Sequence, residues 1–126
     1  MKKLRINPMV VSDLKEIREF IAEDNPNKAK ETVEKIYSKF ENLQLFPDIG
    51  ADLSKRVSFR TDYRYAVWNN YVIIYKTDDD FVEIYRVINR YQDITRIFSI
   101  FKMMFQKQKI DKALFLQERF QRKKAL

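Results

Sequence analysis

The chain opens on an alternation of apolar and polar positions, Leu4–Arg5–Ile6–Asn7, that meets Pro8; this predicts a short first strand. The period then becomes helical. Leu14, Ile17, Phe20 and Ile21 recur at helical spacing behind a start at Ser12, and Met9, Val10 and Val11 also fit a first turn. This helix ends near Asp24–Asn25, and Pro26 can open the next one at its first turn. A stripe of Ala29, Val33, Ile36, Tyr37, Phe40 and Leu43 carries the second helix to about Leu45, giving an αα-hairpin with a tight connection. Phe46–Pro47–Asp48–Ile49–Gly50 joins a proline to the only glycine of the chain and stops the helix.

Period 2 follows. Phe59, Tyr63, Tyr65 and Val67 share one parity, and Arg60, Asp62, Arg64, Ala66 and Trp68 the other. Asn69–Asn70 is a two-residue turn, because Asn tolerates positive φ. Tyr71–Tyr75 is the apolar run of a central strand, Asp78–Asp80 the next turn and Phe81–Asn89 a third strand. Asp93 then caps a helix through Ile94, Ile97, Phe98 and Phe101. The expected fold is α+β, ordered β-α-α-β-β-β-α, with the hairpin packed on a small antiparallel sheet. Residues 1–101 form the domain. Residues 102–126 form a basic tail whose apolar spacing at Ile110, Ala113/Leu114 and Phe120 suits a helical extension.

With 126 residues, 45% of them hydrophobic, the chain holds one domain with one core. It has no cysteine, which excludes disulfide scaffolds and Cys-based metal or nucleophile sites, and no histidine, which removes the usual base near neutral pH. No apolar run approaches the roughly 18 residues of a spanning helix, so a cytoplasmic protein is expected. The net charge of +7 is uneven. Residues 102–126 carry eight Lys/Arg and two acids, whereas residues 1–101 hold 17 bases against 16 acids. The tail is therefore either a solvated helix or a contact with RNA, a second subunit or a partner.

In strand geometry Arg60 and Arg64 share a face about 13 Å apart. Arg86 and Arg90 repeat that spacing on the third strand, while Tyr85, Asn89 and Tyr91 take its other parity, and Lys55 and Arg56 lie on the approach. Arginine forks on adjacent strands suit phosphate, and interleaved tyrosines suit unstacked bases. The plainer alternative is a solvated face paired with Asp62, Glu83 and Asp93. Asp78–Asp80 is a turn rather than a cation site, and neither a metal nor a cofactor is implied. Were RNA cleaved here, arginines would supply charge stabilisation, and a Tyr, Glu or Lys would have to move the protons.

Several segments together resemble one family. These are Phe20–Asn25–Pro26 with Ala29, Leu43–Gly50, Tyr63–Arg64–Tyr65 leading to Tyr71–Tyr75, and Val82–Asn89 with Asp93. In that order they are similar to motifs of the RelE/ParE superfamily of bacterial type II toxin–antitoxin toxins, from Leu4 to about Phe98. The resemblance implies a toxin neutralised by a cognate antitoxin that wraps the sheet groove with a helix or strand, the pair binding operator DNA through the antitoxin. In ribosome-dependent members the toxin cuts mRNA. There the central arginine maps onto Arg64, with Lys55, Arg56 and Arg60 as RNA contacts and Arg86 as a second phosphate clamp. In other members the target is DNA gyrase. Asn89 stands where the mRNA-cleaving pattern has histidine, and Arg90 and Tyr91 are the neighbouring substitutes. The leading expectation is thus a metal-independent mRNA endonuclease built on Arg64, Arg86, Asn89 and Tyr91. Gyrase poisoning, favoured by the long hairpin and the missing histidine, and an inactive partner-binding scaffold are the alternatives.

Overall fold

The computed structural model describes residues 1–91 and 94–125, without the side chains of residues 94–98, 112, 115 and 118–125. The cap expected at Asp93 lies outside the described residues. The chain separates into two compact units, Met1–Tyr91 and Gln92–Leu126.

Strand β1 (Lys3–Ile6) ends at Asn7, and helix α1 (Pro8–Ala22) begins there rather than at Ser12. The Asn7 carboxamide accepts the Met9 N–H at 2.9 Å, and Pro8 fills the first turn, where a missing N–H costs nothing. The same device recurs at the start of α2 (Pro26–Leu45), where Asn25 Oδ1 accepts the Lys28 N–H at 3.1 Å. Helix α1 buries Val10, Asp13, Leu14 and Ile17, whereas Phe20, expected on the apolar stripe, is 72% exposed at the rim of that arc. Helix α2 buries Ala29, Thr32, Ile36, Phe40 and Leu43.

The remaining elements of this unit are β2 (Ala51–Asp52), a 3₁₀ turn (Leu53–Lys55), β3 (Arg64–Trp68), β4 (Tyr71–Thr77) and β5 (Phe81–Asn89). The sheet has five strands in the order β1-β5-β4-β3-β2. β1 lies parallel to β5, and the other pairs are antiparallel, so the expected three-stranded sheet is extended at both edges. Both hairpin turns fall where the polar pairs and runs place them. Asn69 takes φ 54° between β3 and β4, and Asp78 Oδ1 accepts the N–H groups of Asp80 and Phe81. Those two bonds hold the Asp78 carboxyl below its ordinary pKa.

The strand expected from Phe59 starts only at Arg64. Ser54 Oγ and the Thr61 backbone exchange two hydrogen bonds of 2.8 Å, and Thr61 Oγ1 accepts the Tyr63 N–H. Side-chain bonds of this kind compete with a ladder and leave 56–63 irregular. Val10, Leu14, Ile17, Ile36, Phe40 and Leu43 from the hairpin meet Tyr71, Ile73, Tyr75, Val82, Ile84 and Val87 from the sheet to form the core. The described residues of the second unit form a single helix, α3 (Ile94–Ala125), and the division expected after residue 101 falls within it.

β1 covers the outer edge of β5 only as far as Ile84. Beyond it, Asp13 of α1 takes over. Its carboxylate accepts Arg86 Nε and Nη2 at 2.8 Å each and the Val87 N–H at 3.0 Å. Both side chains are almost wholly buried, at 7% and 2% exposure for Arg86 and Asp13. The hydrogen bonds to Asp13 raise the Arg86 pKa against the opposing effect of burial. A register irregularity opposite Ile74 and Tyr75, with Tyr85 as the extra residue of β5, marks this place in the ladder.

Asp13→Ala should therefore lower the unfolding free energy by about 3–5 kcal/mol, read in urea melts, because it strands a buried guanidinium. The double replacement Asp13→Leu with Arg86→Met should recover most of that loss. A single-mutant cost below about 1 kcal/mol would contradict the assignment.

Candidate functional site

The residues singled out for chemistry begin at the hinge between α2 and β2. Tyr75 on β4 sends its hydroxyl into this hinge, where it accepts the Gly50 N–H at 2.9 Å and donates to the Pro47 carbonyl at 2.8 Å. Arg64, at the start of β3 and paired across the ladder with Tyr75, donates from Nε and Nη2 to the Gly50 carbonyl at 3.1 and 2.8 Å. Nη2 also donates to the Asp48 carbonyl at 3.0 Å. The hinge backbone is thus clamped by one phenol and one guanidinium. Glycine is required at its end, since a Cβ on residue 50 would meet Tyr75 Oη, lie 2.7 Å from Tyr75 Cε1 and 2.8 Å from the Tyr65 carbonyl oxygen.

Lys55 and Arg56 follow β2, whose Asp52 pairs with Arg64, and so lie toward the same end of the sheet; both are exposed. Arg56 Nε donates to the Tyr65 hydroxyl at 3.0 Å. Arg60 is exposed in the irregular segment before β3, so it does not share a strand face with Arg64. Arg86 sits in its buried pair with Asp13 and cannot also clamp a phosphate there. Nor does it share a face with Arg90, which lies exposed beyond the end of β5.

Asn89, Arg90 and Tyr91 gather at the other end. Asn89 pairs with Tyr71 on β4, four residues from the Tyr75 that pairs with Arg64, which separates the two groups by about 13 Å along the strand. Asn89 Oδ1 accepts the Tyr91 N–H at 2.9 Å, the Arg90 N–H reaches the Asn70 carbonyl at 2.8 Å, and the Arg90 guanidinium lies 5.6 Å from the Tyr91 ring centre. Arg64 and the Asn89–Tyr91 group are therefore not brought around one reacting phosphate. Burial raises the pKa of Tyr71, Tyr75 and Tyr85, so these phenols are further from acting as bases at neutral pH than free tyrosine. Among the described residues no acidic cluster could hold a metal ion.

Asp13 and Tyr75 were legible in the sequence only as a helix-start residue and a core aromatic. Their partners lie 73 and 25 positions away, beyond any local pattern.

A second feature is a groove of about 380 Å³ between α2 and β3, floored by Leu43, Ala66, Trp68 and Ile73 and rimmed by Lys39 and Ile49. β2 pairs with β3 only at Tyr65 and Arg64, so among the described residues no strand covers the outer edge of β3 from Ala66 to Trp68. Exposed Val67 lies on that edge. Open backbone beside an apolar floor is the geometry that receives an added strand or a docked helix.

A family model described as the ParE toxin of the type II toxin–antitoxin system parDE matches residues 4–94. Among solved structures, one described as a chromosomal ParDE TA system from P. aeruginosa is similar with a TM-score of 0.59 and 20% identity, over 71% of this chain and 96% of that one. At that identity the likeness carries the fold. None of the curated proteins compared matches. No helix among the described residues is long and apolar enough to cross a membrane. Since the family match takes in the helical hairpin, the clamped hinge and all five strands, the chain belongs to the ParE toxin family of type II toxin–antitoxin systems.

Proposed function

We propose that this toxin acts by binding protein, with DNA gyrase as its target, and that its cognate antitoxin neutralises it from the groove beside β3. The observation that carries the reading is the burial of Arg86 against Asp13. Cleavage of mRNA at this site needs positive charge and proton-transfer groups around a single phosphorus. Arg86 is already neutralised, Arg64 is engaged with the hinge carbonyls, and Asn89, Arg90 and Tyr91 stand at the far end of the sheet. The chain has no histidine to serve as the base. A protein-binding toxin requires none of this chemistry. It needs only a rigid displayed surface, which the long hairpin and its exposed Phe20, Leu45 and Phe46 provide.

Purified protein should inhibit supercoiling by gyrase, and cells induced for it should show no new codon-phased mRNA 5′ ends. Such ends, together with unimpaired supercoiling at excess protein, would overturn the reading in favour of the nuclease. For the antitoxin, Val67→Arg places a charge on an exposed strand edge and should leave the fold intact. It should weaken binding of the neighbouring gene's product by at least about tenfold in calorimetry; unchanged affinity would remove the β3 groove as its seat.

A further inference from the structure

The family match ends at residue 94, whereas α3 runs on to Ala125. Along it Met103, Lys107, Ile110, Leu114 and Gln117 follow one another in alternating steps of four and three residues. That is the seam spacing of two helices packed side by side. Met103, Ile110 and Leu114 are 53%, 60% and 54% exposed, so the seam is bare. One step earlier in the same series Ile100 is already buried, as is Met104 beside it, so the bare part begins at Met103. From Met103 to Leu114 it runs about 17 Å. Among the described side chains, the exposed large apolar residues of the opposite arc are Phe105 and Leu116, about three turns apart. Lys109 Nζ lies 4.6 Å from the Phe105 ring centre.

We propose that this seam is a dimer interface, in which α3 packs antiparallel on α3 of a second copy about a dyad between positions 108 and 109. The one charge among the five seam positions selects both partner and direction. In a parallel pair, Lys107 would face Lys107 of the second copy in the same layer. In the antiparallel pair each Lys107 shares a layer with Ile110 of the other copy, and Met103 shares one with Leu114. Asp111 is exposed, Lys107 is half-buried, and both lie on the same flank of the seam. The antiparallel register sets each Asp111 about 1.5 Å along the axis from Lys107 of the other copy. Two reciprocal charge pairs thus border an apolar centre. A single lysine in such a seam fixes register at a cost in stability. A lipid surface is a poorer match, because it takes a broad apolar face and this one is a single seam with an acid at its border. Three apolar side chains from each copy make a small interface, so the dimer is weak, with a Kd on the order of tens of micromolar. The seam uses no residue of the hairpin, the hinge or the β3 edge, and it stands apart from the gyrase and antitoxin readings.

Sedimentation equilibrium of the full chain from roughly 2 to 500 µM tests the dimer. The weight-average mass should climb from the 15.4 kDa of one chain toward twice that value. Ile110→Lys sets two lysines in each central layer. It should raise the Kd at least about tenfold, with helicity retained in circular dichroism because the position is exposed. The chain has no cysteine, so direction can be read by thiol exchange in glutathione buffer. An equal mixture of Met103→Cys and Leu114→Cys should yield mainly the mixed disulfide. The antiparallel layer brings these two positions within bonding reach and holds the two copies of position 103 about 17 Å apart. A mass of one chain throughout, a dimer indifferent to Ile110→Lys, or Met103→Cys pairing with itself as readily as with Leu114→Cys would each overturn the proposal.

Discussion

The fold depends on a buried carboxylate covering a strand edge. β1 runs parallel to β5 for four residue pairs and then must leave, because Asn7 and Pro8 turn the chain into α1. That departure bares the outer edge of β5 just where the strand passes into the core. Asp13 answers the Val87 N–H left without a β1 partner and the Arg86 guanidinium together, so α1 is docked by three directed hydrogen bonds as well as by Val10, Leu14 and Ile17. Apolar contacts tolerate sliding, whereas a bidentate pair does not. The pair is a registration device at least as much as a source of stability, since a buried ion pair recovers little beyond its own desolvation.

The hinge repeats the principle with neutral partners. The Gly50 N–H and the Pro47 and Gly50 carbonyls are satisfied by Tyr75 and Arg64 reaching in from adjacent strands. The arrangement explains why a lone glycine sits at residue 50: the Tyr75 side chain and the Tyr65 carbonyl close over it, and a methyl group has no room. It also engages Arg64, whose guanidinium is held by the Gly50 and Asp48 carbonyls.

Much of this could be read along the chain. The proline starts of both helices, the stop at Gly50, both hairpin turns and the order of elements follow from local rules, because each turn and cap is decided by residues within a few positions of it. The family motifs lie on the same local elements, which is why the family, too, was legible. The tail charge was equally plain, being a matter of counting.

What local pattern could not supply was the fate of each polar side chain. Periodicity placed Arg86 beside Arg90 and Arg60 beside Arg64, but β5 ends at Asn89, before Arg90, and the Ser54–Thr61 bonds keep Arg60 off β3. Whether an arginine faces solvent or a buried carboxylate depends on a partner 73 residues away, and on β1 ending one turn too early to cover the edge itself. The sequence by itself determined the elements, their order, the family and where the charge lies. Only the tertiary structure decided which arginines remained available, because burial and hydrogen-bond partnership belong to the packed chain and not to any stretch of it.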